Sequence, residues 1–279
     1  MTPRTTQVRV PATVGNFGGV PTSTAALDGA LNLKVTLRSD GGLHIRYFGE
    51  NGERVPRERS NLVVRAMESA LASKGIEFAG ADFEIYSSVP VGVGLGSSSA
   101  AVLAGIIAAD RLWHLKLEEK LLFELAAIHE ARLENARAAW FGGLVSAEDG
   151  QTGQPAKGFS KDFALEVVIP QFERLNTPFA SGSDKQVPGL EEALSTRISG
   201  VSIFRCGSGP AVGIFDRDLR EEAVKTVRDC FARRGVESRS IVFHPSPCGA
   251  RHWNRDGAGV GVVAGDCEEG TRKPTLIPV

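Results

Sequence analysis

The chain has 279 residues, of which 42% are hydrophobic, so it is long enough for one large core or two modest ones. Its 32 basic and 33 acidic residues nearly cancel, which argues against a broad electrostatic surface for nucleic acid or for an acidic membrane. No apolar stretch approaches the length of a membrane span or a signal peptide, and the four cysteines form no CxxC pair. We therefore expect a cytoplasmic protein with reduced cysteines and with neither nucleic-acid nor membrane partners.

The first part of the chain is predicted to be β-structure. A short strand covers 8–13, and a second, alternating strand covers 30–37. Asp40-Gly41-Gly42 has the composition of a hairpin turn, so the third strand, "LHIRYFG", is expected to pair with the second.

Helices follow, separated by one further strand. Asn61 is expected to cap a helix that ends at Gly75, and "DFEIYSSVP" is the next strand. A buried helix begins at Ser97 because Ala, Leu and Ile dominate the residues after it. A second helix is predicted over about 117–139.

The remainder mixes strands and helices, and a domain boundary is expected near residue 150 at a Gly- and Pro-rich stretch. The residues from about 265 lack periodicity and are predicted to be a loose tail. The expected elements in this part are a strand "FALEVVIPQ", a short helix near Glu191, two strands flanking "CGSGP", a helix over 218–234 and a closing strand "SRSIVFHP".

The stretch "PVGVGLGSSSAA", residues 90–101, joins a predicted strand to the buried helix. The first amides of a helix lack partners and carry partial positive charge, and glycines let the backbone approach an anion closely. This pattern indicates a phosphate-binding loop. The alternative is an ordinary helix start in which Ser97 is the N-cap and the small residues allow close packing.

Two common phosphate motifs do not fit this stretch. A Walker loop requires a lysine that is absent after Gly96. A dinucleotide fingerprint starting at Gly92 would place Ser97 where the third glycine belongs.

Several stretches resemble motifs of a known superfamily. "PVGVGLGSSSAA" is similar to the second motif of the GHMP small-molecule kinases, P-x-x-x-G-L-G-S-S-A. "VRVPATVGNFG" resembles the opening P-A-T-x-x-N-[LF]-G of the homoserine kinases within that superfamily. "EARLENARAAWFGGLV" follows their E-G-H-P-D-N-x-A-x-A-x-F-G-G pattern, and "CGSGPAV" stands where the third motif, S-G-x-G-P-T, is usual.

The resemblance implies an α+β, two-domain GHMP kinase fold. Residues 1–150 would form an ATP-binding β/α domain similar to domain 2 of ribosomal protein S5, and 151–279 a smaller, ferredoxin-like α+β domain. The residues implied to bind ATP are Pro90, Val91, Gly92, Val93, Gly94, Leu95, Gly96, Ser97, Ser98, Ser99 and Ala100, with Gly207, Ser208 and Gly209 of the third motif. For these three the alternative is a plain hairpin turn.

The resemblance also implies that Ser98 and Glu130 hold Mg²⁺, which prefers oxygen ligands. On a continuous helix, Glu130 and Glu134 would lie one turn apart, and this like-charge spacing suits a cation site. The alternative for Glu130 is a solvated position on a helix face.

Three residues are implied on the acceptor side: Asn16, Glu134 and Asn135. Asn16 matches an asparagine that contacts the amino-acid acceptor, and Glu134-Asn135 stand where the family has Asp-Asn. Glu134 is expected to contact the amino group or the hydroxyl of the acceptor. The alternatives are a turn residue for Asn16, an ion pair with Arg137 for Glu134, and hydrogen bonding between helices for Asn135.

The chain departs from the family pattern in four places. Arg132-Leu133 replaces His-Pro, Cys206 and Ala211 replace Ser and Thr, and the Gly-Phe-Asp after the first motif is missing. The stretch after "VVIPQFE" is several dozen residues shorter and lacks the arginine that helps to hold the acceptor carboxylate. A replacement could come from Arg132, Arg137 or Arg205, each of which could instead be a surface charge.

The resemblance therefore implies ATP- and Mg²⁺-dependent phosphorylation of the L-homoserine hydroxyl, a step toward threonine. The alternatives are a GHMP kinase for another small alcohol, mevalonate-like or sugar-like, and a non-catalytic ATP-binding homologue. A dinucleotide-dependent oxidoreductase has little support. The sequence leaves the oligomeric state open and is compatible with a homodimer.

Overall fold

The computed structural model describes residues 4–130, 132–146, 163–171, 187–216, 221–254 and 261–262, and two sheets organise them. The larger sheet contains β1 (Thr5–Gly15), β2 (Ser23–Leu37), β3 (Leu43–Gly49), β4 (Ala81–Ser87), β5 (Leu144–Ser146), β10 (Arg251–Asn254) and β11 (Gly261–Val262). The smaller sheet contains β6 (Leu165–Gln171), β7 (Ser202–Arg205), β8 (Val212–Phe215) and β9 (Glu237–Phe243). The α+β class expected from the sequence is confirmed.

Helices cover one face of each sheet. They are α1 (Leu62–Ala72), α2 (Ser97–Trp113), α3 (Glu119–His129), α4 (Leu133–Phe141), α5 (Leu190–Ser195) and α6 (Glu221–Ala232). The Asn61 side chain caps α1 by accepting a hydrogen bond from the Val63 amide, 3.0 Å away, as predicted. Helix α2 is buried along nearly its whole length, so it forms the centre of the N-terminal core.

The predicted hairpin between the second and third strands is wrong. β2 pairs antiparallel with β4, and β3 pairs parallel with the other side of β4, so β4 separates them. The burial of the strands explains this order. Ala81, Phe83 and Ile85 of β4 are fully buried, as in an inner strand, whereas β3 exposes most of its residues and forms an edge.

The predicted helix over 117–139 is also wrong as one element, because two helices stand in its place. α3 ends at His129, and Glu130 adopts an extended conformation with φ −126° and ψ 120°. α4 then begins at Leu133. Glu130 and Glu134 are therefore not one helical turn apart, and the like-charge argument from that spacing fails.

The smaller sheet has the order β7-β8-β6-β9, with all neighbours antiparallel. Together with α5 and α6 this gives the β-α-β-β-α-β order of a ferredoxin-like unit, as expected. One face packs on α5 and α6. The other face joins β1, β2 and the glycine-rich loop in a shared core, so the site lies at the junction of the two sheets.

The last described strands return to the larger sheet, which the sequence did not indicate. β10 pairs antiparallel with β1, and β11 pairs with β10. The boundary near residue 150 and the loose tail from about 265 both fall on residues outside the described ranges. Cys206 and Cys230 are buried free thiols, whereas Cys248 is disulfide-bonded, so the expectation of reduced cysteines fails there. Among the described residues no helix is long and apolar enough to cross a membrane.

Candidate functional site

In the glycine-rich loop between β4 and α2, buried apolar residues alternate with glycines. Val93 and Leu95 are each only 1% exposed and lie in the core shared by the two sheets. Between them, Gly92, Gly94 and Gly96 have φ values of 81°, 98° and 68°. These left-handed angles favour glycine over any other residue. The apolar side chains thus fix the loop while its glycine backbone remains partly accessible.

Two of these glycines are also required for packing. A methyl group on Gly94 would lie 2.0 Å from the Cys206 carbonyl oxygen, and one on Gly96 would lie 2.0 Å from Thr13 Oγ1. The loop therefore fits closely against β1 and against residues 206–212, which we call the third-motif segment. Close approach to an anion is not the only physical reason for glycine at these positions.

Helix α2 begins immediately after the loop, so the positive end of its dipole lies beside the partly accessible loop backbone. The N-cap is Gly96, and no side chain caps the helix, so Ser97 does not take the capping role considered above. The first amide that donates within the helix is that of Ala100, to the Gly96 carbonyl at 2.9 Å. The amides of residues 97–99 consequently have no acceptor within the helix, as at any helix start.

Glu130 lies against this helix start. Its Oε2 accepts hydrogen bonds from Ser98 Oγ at 2.7 Å and from Ser99 Oγ at 2.8 Å. Its Oε1 accepts one from the Arg132 amide at 3.2 Å. The structure therefore brings together the two residues predicted to bind the metal and adds Ser99, which is fully buried.

The spacing of the Ser98 and Glu130 oxygens fits a magnesium ion. Oxygen ligands bind Mg²⁺ at about 2.1 Å in an octahedral arrangement, so two adjacent ligands lie about 3 Å apart. The observed 2.7 Å separation is close to that value. The described residues contain no cluster of three or more His, Cys, Asp and Glu side chains that could hold a metal. A hydroxyl and a carboxylate are thus the protein ligands that this position offers.

The third-motif segment closes the other side of the site. The Gly207 amide donates to the Gly15 carbonyl, and the Ala211 amide donates to the Val93 carbonyl, both at 3.2 Å. The segment is also a hairpin turn between the antiparallel strands β7 and β8. Gly207, Ser208 and Gly209 therefore lie in a hairpin turn that contacts both β1 and the glycine-rich loop, and their binding of ATP stays a prediction.

Asn16 connects the end of β1 to this turn. It adopts a left-handed conformation with φ 61°, which asparagine tolerates. Its Nδ2 donates to the carbonyls of Arg205, at 3.0 Å, and Gly207, at 3.1 Å. Because carbonyls accept hydrogen bonds only, these contacts fix the amide orientation and turn Oδ1 away from them.

The remaining predicted residues lie at the start of α4. Asn135 Oδ1 and Arg132 Nη1 are 3.6 and 3.8 Å from the position that a Cβ atom on Gly15 would occupy. Glu134 is half-buried in the first turn of the same helix. The structure thus gathers Asn135 and Arg132 beside the end of β1, next to Asn16.

Three features of this region escaped the sequence analysis. The break at Glu130 was missed because Ala131 and Leu133 stand where the family pattern has the helix breakers Gly and Pro. The contact between Ser99 and Glu130 was missed because the family pattern has alanine at the position of Ser99. The role of Arg205 was missed because a strand pattern does not indicate that its side chain bonds back to the carbonyls of Ser208 and Gly209.

A groove of about 920 Å³ lies elsewhere, between α6 and β9. Its lining mixes acidic and basic side chains, among them Glu221, Lys225 and Glu237. None of the residues that carry the predicted chemistry lines it. The junction of the sheets, and not this groove, is therefore the candidate site.

Comparison with known proteins agrees with the resemblance seen in the motifs. Residues 61–143 match the family described as "GHMP kinases N terminal domain". This range contains the glycine-rich loop, α2 and the break at Glu130. A solved homoserine kinase from Cytophaga hutchinsonii superposes with a TM-score of 0.62 at 22% identity, covering 89% of this chain and 97% of that one. The predicted GHMP kinase fold is confirmed.

Two proteins with similar sequences are also homoserine kinases. A homoserine kinase of Streptomyces avermitilis is 32% identical over 192 residues, 67% of this chain and 63% of that protein. A homoserine kinase of Clavibacter michiganensis is 38% identical over 197 residues, 69% of this chain and 62% of that protein. The matches therefore span slightly less than two thirds of the length of these relatives.

Proposed function

Because this chain carries the N-terminal domain and the two-domain fold of the GHMP kinases, we propose that it transfers the γ-phosphoryl group of ATP to the hydroxyl of L-homoserine. The bond from phosphorus to the leaving oxygen of ADP breaks, a new bond forms to the homoserine hydroxyl oxygen, and the hydroxyl proton is released. The observation that carries this proposal is the 2.7 Å approach of Ser98 and Glu130 at the start of α2, directly after the glycine-rich loop.

In the proposed site the triphosphate binds at the start of α2. The amides of residues 97–99 and the partial positive charge of the helix offer hydrogen bonds and electrostatic stabilisation to phosphate oxygens. The left-handed angles at Gly92, Gly94 and Gly96 let the backbone turn into the start of α2. The turn at Gly207, Ser208 and Gly209 borders the same space. Positioning and charge neutralisation are the main contributions that phosphoryl transfer requires of a protein.

Ser98 and Glu130 are proposed to hold Mg²⁺, with further positions taken by phosphate oxygens and water. When bound, the ion would neutralise charge that develops on the transferring phosphoryl group. Ser99 and the Arg132 amide hold the Glu130 carboxylate in place through the hydrogen bonds already described. Ser99 is proposed as a positioning residue and not as a metal ligand.

The acceptor is proposed to bind beside the end of β1. Asn16 presents an oxygen, since its amide nitrogen is occupied by two carbonyls, and an oxygen accepts hydrogen bonds from an ammonium group or a hydroxyl. Asn135, and Glu134 in the first turn of α4, would complete the contacts to the amino group and the hydroxyl. The relatives of this chain that are homoserine kinases support homoserine as the acceptor.

A second candidate function is a GHMP kinase for another small alcohol. It is favoured by the departures on the acceptor side, where Arg132-Leu133 replaces His-Pro and the segment after β6 is short. The same departures leave open an ATP-binding protein without transfer activity.

One experiment separates these functions. The purified chain is incubated with ATP, Mg²⁺ and a panel of L-homoserine, mevalonate, galactose and glycerol, and ADP formation is followed with a coupled assay. We expect turnover with L-homoserine and formation of O-phospho-L-homoserine, identified by mass spectrometry. Turnover with another alcohol alone would replace homoserine as the acceptor. ATP binding in calorimetry without any transfer would indicate a binding protein.

A further inference from the structure

Arg132, Arg137 and Arg205 are the three arginines that the sequence analysis offers for an acceptor carboxylate, and the structure distinguishes them. Arg205 uses its guanidinium for its own turn, donating to the Gly209 carbonyl at 2.9 Å and to the Ser208 carbonyl at 3.2 Å. The guanidinium of Arg137 lies over the Phe123 ring, 5.3 Å from the ring centre. Both side chains are therefore held by contacts within the protein.

Arg132 differs from both. Its side chain is exposed, and no group among the described residues accepts a hydrogen bond from its guanidinium or forms an ion pair with it. Its Nη1 nevertheless lies near Gly15, at the end of β1, where Asn135 Oδ1 and the Gly207 Cα also converge. A positive charge with open hydrogen-bond donors thus faces the place where the acceptor is proposed to bind.

The backbone of Arg132 is fixed independently of its side chain. Its amide donates to Glu130 Oε1, so the residue is attached to the carboxylate of the proposed metal site. The residue that carries the guanidinium is thus two positions along the chain from the proposed metal ligand Glu130. Changing the side chain leaves this backbone hydrogen bond available, so the metal site can be preserved in a variant.

We propose that Arg132 binds the carboxylate of the acceptor and thereby selects α-amino acids among small alcohols. This inference rests on the proposed kinase function and names the substrate class of the same site. The planar guanidinium can donate two parallel hydrogen bonds to a carboxylate, which a histidine at this position cannot do. The chain thus supplies this charge from the start of α4.

The test compares two acceptors in two variants. L-Homoserine carries the carboxylate, and 3-aminopropan-1-ol keeps the amine and the hydroxyl but lacks it. In Arg132→Gln we expect kcat/KM for L-homoserine to fall about 10- to 100-fold, mainly through KM, because two charge-assisted hydrogen bonds are lost. Arg132→Lys should restore part of the loss. The kcat/KM for 3-aminopropan-1-ol and the KM for ATP should stay unchanged.

Arg197→Gln is the matched control, since among the described residues that guanidinium donates to the carbonyls of Leu194 and Thr196 at the end of its own helix. It should leave both acceptors unaffected. An equal loss with both acceptors in Arg132→Gln would overturn the inference, as would a loss confined to L-homoserine in Arg137→Gln.

A binding measurement keeps this inference distinguishable from the proposed function. Calorimetry of L-homoserine with the wild-type chain and a non-hydrolysable ATP analogue should give heat that disappears in Arg132→Gln. That result supports the inference even if no phosphoryl transfer is found, in which case the proposed function alone fails. Unchanged binding in Arg132→Gln, or no binding of L-homoserine to the wild type, overturns the inference.

Discussion

The buried hydroxyl of Ser99 donates a hydrogen bond to Glu130 Oε2 across 2.8 Å, joining the first turn of α2 to the break between α3 and α4. Ser98 donates to the same oxygen. The family pattern has alanine at the position of Ser99, so this chain has an additional donor where the pattern offers a methyl group.

Ser99→Ala should weaken Mg²⁺ binding without unfolding the chain. Ser98 still donates to the same carboxylate oxygen, so we expect a loss near the lower end for hydrogen bonds to charged groups, about 1–2 kcal/mol. This corresponds to about a 5- to 30-fold rise in the Mg²⁺ concentration that half-saturates nucleotide binding, measured by calorimetry with ADP. Ser73→Ala removes a serine that bonds to the Ala70 carbonyl far from the site. It should leave the Mg²⁺ dependence unchanged, and an equal shift in both variants would contradict the prediction.

Gly96→Ala should lower the free energy of unfolding by more than the backbone strain of an alanine at this φ would by itself. The added methyl group would overlap Thr13 Oγ1 in a residue whose φ is 68°. Gly75 has nearly the same φ, 67°, but no atom lies within 4 Å of a methyl group placed there. Gly75→Ala is therefore a control for strain, which costs about 1–2 kcal/mol.

We expect Gly96→Ala to lower the free energy of unfolding by about 1–3 kcal/mol more than Gly75→Ala, because the overlap adds a packing cost. Urea denaturation followed by circular dichroism measures both. Equal losses in the two variants would show that Thr13 does not restrict this position.

Asn16→Asp should loosen the junction between the two sheets. The substitution conserves shape but places a carboxylate oxygen where Nδ2 donates to the Arg205 and Gly207 carbonyls. We expect a loss of about 1–3 kcal/mol in the free energy of unfolding. Asn51→Asp is the matched control, since Asn51 has a similar φ of 58° and makes one longer bond, 3.3 Å, to the Val91 carbonyl. A greater loss in the control would contradict the prediction.

The stability of the chain should fall as the pH is lowered below about 6.5. Burial, and then the charge of Arg111, lower the pKa of His252 on β10 below its usual value, so the folded state favours the neutral ring. Below the unfolded pKa, the unfolded chain binds a proton that the folded chain does not, which reduces the free energy of unfolding.

His252→Gln should therefore flatten the dependence of the unfolding free energy on pH between about 8 and 5. Some slope should remain, because burial lowers the pKa of His129 in the same direction. Denaturation at pH 8 separates any packing effect of the substitution, since the rings are neutral there. Parallel curves for the variant and the wild type would contradict the prediction.

Local patterns in the sequence predicted most of the elements, because their signals lie within a few residues of one another. Asn61 caps α1, which ends at Ala72, three residues before the predicted stop at Gly75. The alternation of glycine with Val93 and Leu95 correctly indicated a loop before a buried helix. The motif residues Ser98 and Glu130 were predicted to meet, and the structure places their oxygens 2.7 Å apart. The predictions of elements depend on short-range chemistry, whereas the meeting of Ser98 with Glu130 was implied by the resemblance.

The errors concern pairing and interruption, which depend on distant residues. Asp40-Gly41-Gly42 has good turn chemistry, but the more apolar β4 takes the inner position next to β2. At Glu130 the chain leaves the helix without Gly or Pro, and the carboxylate instead bonds to Ser98, Ser99 and the Arg132 amide. Tertiary contacts across the site offset the local preference for helix there.

The pairing of β1 with β10 sets the order in which the chain can assemble during synthesis. Arg9 lies opposite Arg251, so one side of β1 stays unpaired until the residues of β10 have left the ribosome. Pairing between strands so far apart in the chain slows folding, because the ends of a long loop must meet before the pairing can stabilise the sheet. A chain released before residue 251 would expose the edge of β1 to other proteins.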